Sequence, residues 1–218
     1  MKNFKIVLFV VLVVQLNSYA QLPVKTSKYN SNLKTKIVGS PYTQKMFSQA
    51  KVGTVEQKNF VRYNVFNDEF EFISAQKDTL ILDKIEDFGT IVFTETNKKY
   101  QLTTYTNSKN KLFYGYLINL KELNGFILFK KENITFMEEK IAKTSLEVNM
   151  PAKFVKSGDT FFLKNKDKGT YEFPENKKGL LKLFPDKKEA IETFLKENKI
   201  DFDSESDLMK IIDFIASF

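Results

Sequence analysis

The residues that come nearest to a catalytic pattern are three neighbouring carboxylates, Asp68, Glu69 and Glu71. Glycoside hydrolases use a pair of carboxyl groups, one protonated to act as an acid and one ionised to act as a base or nucleophile. However, Glu69 and Glu71 alternate with phenylalanines, and such alternation is typical of a β-hairpin. We therefore interpret these carboxylates as structural, predict no catalytic residue and rank a carboxylate-based hydrolase last of three functional hypotheses.

The element that carries these carboxylates is predicted to be a hairpin over 60–74. Asn67 and Asp68 lie at its centre, and both residue types tolerate the positive φ that tight hairpin turns require. A two-residue turn at this dipeptide pairs Tyr63 with Phe72 across the two strands. The register then determines which side chains share a face.

Arg62 is the one arginine of the sequence, and in this register it lies diagonally across from Glu71. This position predicts a cross-strand ion pair on the polar face of the hairpin. The other face is apolar and consists of Val61, Tyr63, Val65, Phe70 and Phe72. We assign a structural role in the hairpin to Arg62, Asn67, Asp68 and Glu71.

The composition excludes several kinds of chemistry, because the 218 residues include no cysteine, histidine or tryptophan. Without thiols there is no disulfide, zinc knuckle or lipidated cysteine, and without imidazole a serine nucleophile has no histidine base. The eight glycines are dispersed singly, so no glycine-rich loop can bind a phosphate. The net charge of +7 is carried almost wholly by lysine, whereas nucleic-acid recognition relies on arginine. We predict no cofactor and no nucleic-acid partner.

One acidic run, over 201–207, resembles the first half of a calcium-binding loop because its carboxylates alternate. Such a loop also needs a glycine at its sixth position and a glutamate at its twelfth, where this chain has Ser206 and Ile212. We interpret the run as favourable negative charge at the start of a helix and predict no metal site.

The N-terminus has the pattern of a secretory signal peptide over 1–20. Lys2 and Lys5 precede an unbroken apolar run of nine residues over 6–14, which is too short to span a bilayer. Small and polar residues follow and predict cleavage between Ala20 and Gln21. We therefore expect an exported protein that is periplasmic, envelope-associated or secreted, with no transmembrane segment after signal removal.

The mature chain is predicted to have an α+β fold, an antiparallel β meander with a C-terminal helical cap. A polar segment over 21–45 precedes a β domain over 46–175, in which short runs of β-branched and aromatic residues alternate with turns about every ten residues. The sheet is either a sandwich or a partly open barrel. Predicted strands beyond the hairpin cover 78–83, 90–94, 98–106, 111–119, 124–130, 152–156 and 159–164, the last two flanking a turn at 157–158.

Over 176–218 the apolar period changes from two to 3.6, which predicts helices packed on the β domain. Asp186 with Glu189, and Ser204 with Asp207, have the spacing of capping boxes at helix N-termini. The last helix carries a single apolar stripe of Leu208, Ile211, Ile212 and Ile215. Such a stripe requires a covering surface.

Three stretches, 39–42 (GSPY), 61–72 (VRYNVFNDEFEF) and 179–218, together resemble a family of exported proteins common in the Bacteroidota. The family brings no established activity, so the resemblance transfers no catalytic residue. It implies a β-rich protein of the periplasm or envelope. The triplet Asp78, Thr79 and Leu80 also fits an O-glycosylation pattern of exported proteins in that phylum.

These observations favour a non-catalytic protein that binds another envelope protein through its sheet edges or its helical cap. The alternative is a carrier or sensor of an apolar small molecule inside the β domain. That alternative rests on the 22 phenylalanines, which could line an internal cavity.

Overall fold

The computed structural model describes residues 24–25 and 37–218 of the chain. The predicted signal peptide and its cleavage residues, Ala20 and Gln21, lie outside these residues. The strands are β1 Val24–Lys25, β2 Ser48–Val52, β3 Val55–Asn64, β4 Glu69–Ile73, β5 Thr79–Leu82, β6 Thr90–Phe93, β7 Lys99–Thr106, β8 Leu112–Leu123, β9 Phe126–Met137, β10 Lys153–Asn165 and β11 Gly169–Glu172. The α-helices are α1 Lys177–Leu183, α2 Lys188–Glu197 and α3 Glu205–Ile215.

The strands form one sheet in the order β1-β5-β4-β3-β2-β6-β7-β11-β10-β9-β8. Because β7 also pairs with β8, strands β7 to β11 close into a ring, which makes a small barrel. The other six strands form an arm that extends from β7. Strands β7 and β11 pair in parallel, and all other pairings between named strands are antiparallel. The prediction of an α+β fold, a β meander followed by C-terminal helices, is confirmed.

The β3–β4 hairpin has a register two residues away from the predicted one. Tyr63 lies opposite Phe70, and Arg62 lies directly opposite Glu71 rather than diagonally across from it. A two-residue shift leaves every side chain on its predicted face, because the side-chain period of a strand is two. The predicted apolar face, Val61, Tyr63, Val65, Phe70 and Phe72, is accordingly buried.

The predicted two-residue turn is wrong because the strands are joined by a four-residue loop, 65–68. The backbone N–H of Val65 donates to the carbonyl oxygen of Pro41 at 2.9 Å, which ends the ladder early. The N–H of Asn67 donates to the side-chain oxygen of Asn64 at 3.1 Å, so an Asx interaction closes the loop. Of the two predicted turn residues only Asp68 has a positive φ, 56°.

The two short strands predicted on either side of 157–158 are one strand, β10, and no turn separates them. The register against β9 shifts between Ser157 and Thr160, which marks a β-bulge. From the facing strand, the Asn133 side-chain amide donates to the Gly158 carbonyl at 2.8 Å and to the Thr160 hydroxyl at 2.9 Å. One side chain therefore bridges the irregularity, and pairing continues beyond it.

The interior of the barrel is filled by its own side chains. A buried cluster of Tyr105, Leu117, Ile127, Phe129 and Phe162 occupies it. A second core lies between β2 to β6 and the facing side of β7 and β8, with Phe70 and Tyr116 among its largest buried members.

The helices cover the outside of the barrel. The predicted stripe of α3 is buried together with Leu128 and Leu163. Ser204 caps α3 by accepting from the N–H of Asp207 at 3.4 Å. Asp186 does not cap α2, because 185–187 form a 3₁₀ turn and the helix begins at Lys188. None of the helices in the described ranges has the length and apolar character needed to cross a bilayer.

Candidate functional site

The ion pair predicted from the sequence is present on the polar face of the β3–β4 hairpin. Two guanidinium nitrogens of Arg62 lie 2.6 and 2.8 Å from one oxygen of the buried Glu71 carboxylate. The other oxygen accepts from the Tyr42 hydroxyl at 2.8 Å and from the Asn64 amide at 3.4 Å. The guanidinium also lies over the rings of Tyr42 and Phe47, 4.1 and 4.4 Å from their centroids. This cluster stabilises the hairpin, and both oxygens of the Glu71 carboxylate already accept hydrogen bonds within it.

Asp68 has a larger role than the turn residue predicted from the sequence. Its carboxylate accepts from the Tyr63 hydroxyl, from the Lys84 ammonium at 2.7 Å and from the backbone N–H of Tyr116 at 3.2 Å. The Lys131 ammonium lies 3.6 Å away. Asp68 therefore connects the β3–β4 loop with β8 and β9.

The sequence contains one signal for this connection, a glycine in the middle of the β8 strand pattern. A Cβ on Gly115 would collide with the Asp68 carboxylate. A glycine inside a strand often marks a close approach by another group. Asn67, the other predicted turn residue, makes only the local contact with Asn64 described above.

Glu132 is a buried carboxylate that sequence reasoning missed. It accepts from the Lys98 ammonium at 2.9 Å, the Thr43 hydroxyl at 3.1 Å and the Tyr100 hydroxyl at 3.2 Å. Burial alone would raise the pKa of Glu132, but the charge of Lys98 and the three hydrogen bonds outweigh it and lower the pKa. Because Glu132 lies in a polar run of β9, nothing in its neighbours distinguishes it from an exposed glutamate.

The tyrosines near these carboxylates are held in their protonated form. Burial, and then the charge of Asp68, raises the pKa of Tyr63, Tyr105 and Tyr116. Burial, and then the charge of Glu132, does the same for Tyr100. Their hydroxyls therefore remain hydrogen-bond donors.

Asp68 and Glu132 both line a cleft of about 410 Å³ between the β3–β4 loop, β8, β9 and β10. A glycoside hydrolase would require one carboxyl group there to be protonated near neutral pH. Glu132 is ionised instead, and Asp68 has two ammonium neighbours. Among the described residues no group of three or more acidic side chains is placed to hold a metal ion. The lowered pKa of Glu132 therefore does not fit the protonated acid of such a pair.

The second prominent surface is the loop between β9 and β10, residues 138–151, which we name the hairpin tip. Three of its apolar side chains are strongly exposed, Ile141 by 67%, Leu146 by 95% and Val148 by 77%. The backbones of Lys140 and Met150 exchange two hydrogen bonds of 2.8 Å each. These bonds close the base of the loop, whose apolar groups are presented to solvent.

The base of the hairpin tip is anchored to the rest of the sheet. Phe136 and Phe154 lie opposite each other across the hairpin, with tilted rings whose centroids are 4.9 Å apart. The ring centroid of Phe66 lies 5.3 Å from that of Phe154. The backbone of Val38 donates to Ala152 at 3.0 Å and accepts from Phe154 at 2.9 Å. The tip therefore projects from a well-packed base.

No family model, curated protein or solved structure matches the chain. The resemblance to an exported family of the Bacteroidota therefore stays a prediction.

Proposed function

We propose that this protein is a non-catalytic, exported binding protein that contacts another envelope protein through the hairpin tip. The observation that carries the proposal is the exposure of Ile141, Leu146 and Val148 on one ordered loop. Clustered exposed apolar side chains are typical of interaction surfaces, because their contact with water is unfavourable until a partner covers them.

The internal hydrogen bonds of the tip support this role. The N–H of Ala142 donates to the Asn149 side chain at 2.7 Å, and the N–H of Lys143 donates to Glu147 at 3.0 Å. A loop already held in one shape loses less conformational entropy on binding than a flexible loop does. The tip can therefore bind with little reorganisation.

The charges of the tip favour a protein partner over a membrane surface. A loop that inserts into anionic lipid is normally rich in lysine or arginine. The tip instead has three glutamates and two lysines. The tip therefore has a net charge of −1, which an anionic bilayer would repel. A protein surface, in contrast, can complement charges of both signs.

Site-specific photocrosslinking in the producing cell tests this proposal. A photoreactive amino acid at position 146 should crosslink to a discrete protein, and the Val148→Ser variant should weaken that crosslink. The control is the same amino acid at position 46, because Met46 is 76% exposed, like Val148 at 77%, but lies off the tip. Crosslinking to lipid alone, or recovery of the monomer alone, would contradict the proposal.

Export itself is tested by the intact mass of the protein recovered from its own cells. We expect a mass that corresponds to residues 21–218, from cleavage between Ala20 and Gln21. A full-length mass in the cytoplasmic fraction would refute this part of the proposal.

A carrier of an apolar molecule inside the β domain is the second candidate. We rank it lower because five large side chains already occupy the interior of the barrel. Organic extraction followed by mass spectrometry would reveal such a ligand as a mass excess that extraction removes.

A further inference from the structure

We propose that the cleft lined by Asp68 and Glu132 binds an uncharged saccharide ring. This site is separate from the hairpin tip and does not depend on the function proposed above. The cleft has a volume of about 410 Å³, which lies within the range of about 300–1,000 Å³ typical of small-molecule sites.

Aromatic side chains form the walls of the cleft. Tyr105 and Phe113 stack with centroids 5.5 Å apart, and the edge of Phe162 meets Tyr105 at 4.7 Å. Phe66 and Tyr114 also line the cleft, and each is about half exposed. The negative face of an aromatic ring attracts weakly positive C–H groups, and the faces of sugar rings are rich in them.

The polar groups of the cleft argue against a lipid-like ligand. Asp68, Lys131, Glu132, Asn133 and Thr160 all line it. An apolar molecule would remove water from these groups without replacing their hydrogen bonds, which is costly. Hydroxyl groups can both donate to the carboxylates and accept from the Lys131 ammonium.

The charges of the cleft argue against a charged ligand. Lys84 and Lys131 offset the charge of Asp68, and Lys98 offsets that of Glu132. Glu172, a third lining carboxylate, accepts from the backbone N–H of Ser108 at 2.7 Å. Two of the three lining carboxylates thus already have ammonium partners, which a cationic ligand would have to displace, and an anionic ligand would be repelled by all three carboxylates.

Saturation-transfer difference NMR tests the proposal. The probes are methyl β-glucoside, methyl β-N-acetylglucosaminide and cellobiose, with sodium glucuronate as a charged comparison and octanoate as an apolar one. We expect signals from ring C–H protons of at least one neutral sugar and weaker signals from both comparison probes. The absence of signal from all three neutral sugars, or stronger signal from glucuronate or octanoate, would overturn the proposal.

Two variants in the cleft and two control variants outside it test whether the sugar binds at this site. Phe66→Ala and Tyr114→Ala should each weaken sugar binding about fivefold, the loss expected for one aromatic contact. Phe60→Ala is the matched control, because Phe60 and Phe66 are 49% and 46% exposed but only Phe66 lines the cleft. The Leu146→Ser variant should bind the sugar as wild type does. Binding that survives both cleft variants, or that falls equally in Phe60→Ala, would refute this site.

Discussion

The β3–β4 hairpin and the hairpin tip of this protein distribute polar and apolar groups in opposite ways. In the β3–β4 hairpin, Glu71 is buried beneath Arg62, and the loop residue Asp68 is enclosed by two lysines and a tyrosine. In the β9–β10 hairpin, Leu146 and Val148 are open to solvent. The first hairpin places charge inside the protein and the second places apolar surface outside it.

The difference indicates that the two hairpins have different roles. Buried charges that are fully paired hold specific elements in one arrangement, and they are costly when a partner is removed. Exposed apolar groups add little to the stability of the isolated protein and are available to a partner. We therefore assign positioning to the buried ion pairs, those of the β3–β4 hairpin and that of Glu132, and recognition to the hairpin tip. Four predictions test this assignment, in order of decreasing effect.

Removal of the guanidinium should give the largest loss of stability. Arg62→Met leaves the buried Glu71 carboxylate without its cation, and we expect the free energy of unfolding to fall by about 3–5 kcal/mol. Urea denaturation at pH 7 measures the change. Lys140→Met, which removes an exposed cation from the hairpin tip, should change stability by less than about 0.5 kcal/mol. Equal effects of the two substitutions would remove the distinction between the hairpins.

Glu132→Gln should destabilise the protein by about 1–3 kcal/mol at pH 7, because Lys98 loses its charged partner. The pKa of Glu132 is lowered from its ordinary value of 4.5, so the ionised form stabilises the folded state above that pH. As the pH falls through 4.5 and towards the folded-state pKa, wild type loses this contribution and the variant does not.

The difference in unfolding free energy between wild type and Glu132→Gln should therefore narrow on acidification. Denaturation curves at several pH values between neutral and acidic conditions measure it. The exposed Glu139 of the hairpin tip supplies the control, since Glu139→Gln should show a small difference at every pH. If the difference in unfolding free energy between wild type and Glu132→Gln were independent of pH, the Glu132 charge would not have the stabilising role assigned to it.

Gly115→Ala should destabilise the protein by about 1–2 kcal/mol, because the added methyl group displaces the Asp68 carboxylate from its partners. Gly158→Ala is the control, since a Cβ at Gly158 meets no atom within 4 Å. Thermal unfolding compares the two variants. A stability loss in Gly158→Ala as large as that in Gly115→Ala would show that the effect is not specific to Asp68.

The smallest effect on stability should come from the hairpin tip. The double variant Leu146→Ser and Val148→Ser should unfold within about 0.5 kcal/mol of wild type, because both side chains are already exposed. Phe70→Ala, in the other hairpin, should cost about 3–5 kcal/mol. A large loss in the tip variant would mean that the tip is part of the core rather than a recognition surface.

Local patterns predicted much of the fold. The alternation of Val61 and Tyr63 identified the buried face of β3. The spacing of Leu208, Ile211 and Ile212 identified the buried stripe of α3. These patterns are reliable because side chains two apart in a strand, or three and four apart in a helix, must share a face. The turn at 65–68 was placed wrongly because its geometry depends on Pro41, which lies far from it in sequence.

The candidate sites were much less predictable than the fold. From the sequence, Asp68 is predicted only as a turn residue, and neither Glu132 nor the hairpin tip is predicted as a site. Glu132 and Glu139 both have polar neighbours on each side in sequence, yet Glu132 is buried and Glu139 is exposed. Whether a side chain is covered depends on strands that are far apart in sequence but pair in the fold. The local periodicity of the sequence carries no information about this pairing.

The sequence by itself determined the two faces of the β3–β4 hairpin, the apolar stripe of α3 and the chemistry that a chain without cysteine and histidine cannot perform. Only the tertiary structure decided that β7 pairs with β6, β8 and β11, which closes the barrel. It also decided that Asp68 reaches Lys84 and Lys131, and that Leu146 is exposed to solvent. The physical reason is the range of each interaction: backbone periodicity acts between neighbours in sequence, whereas burial and charge pairing act between neighbours in space.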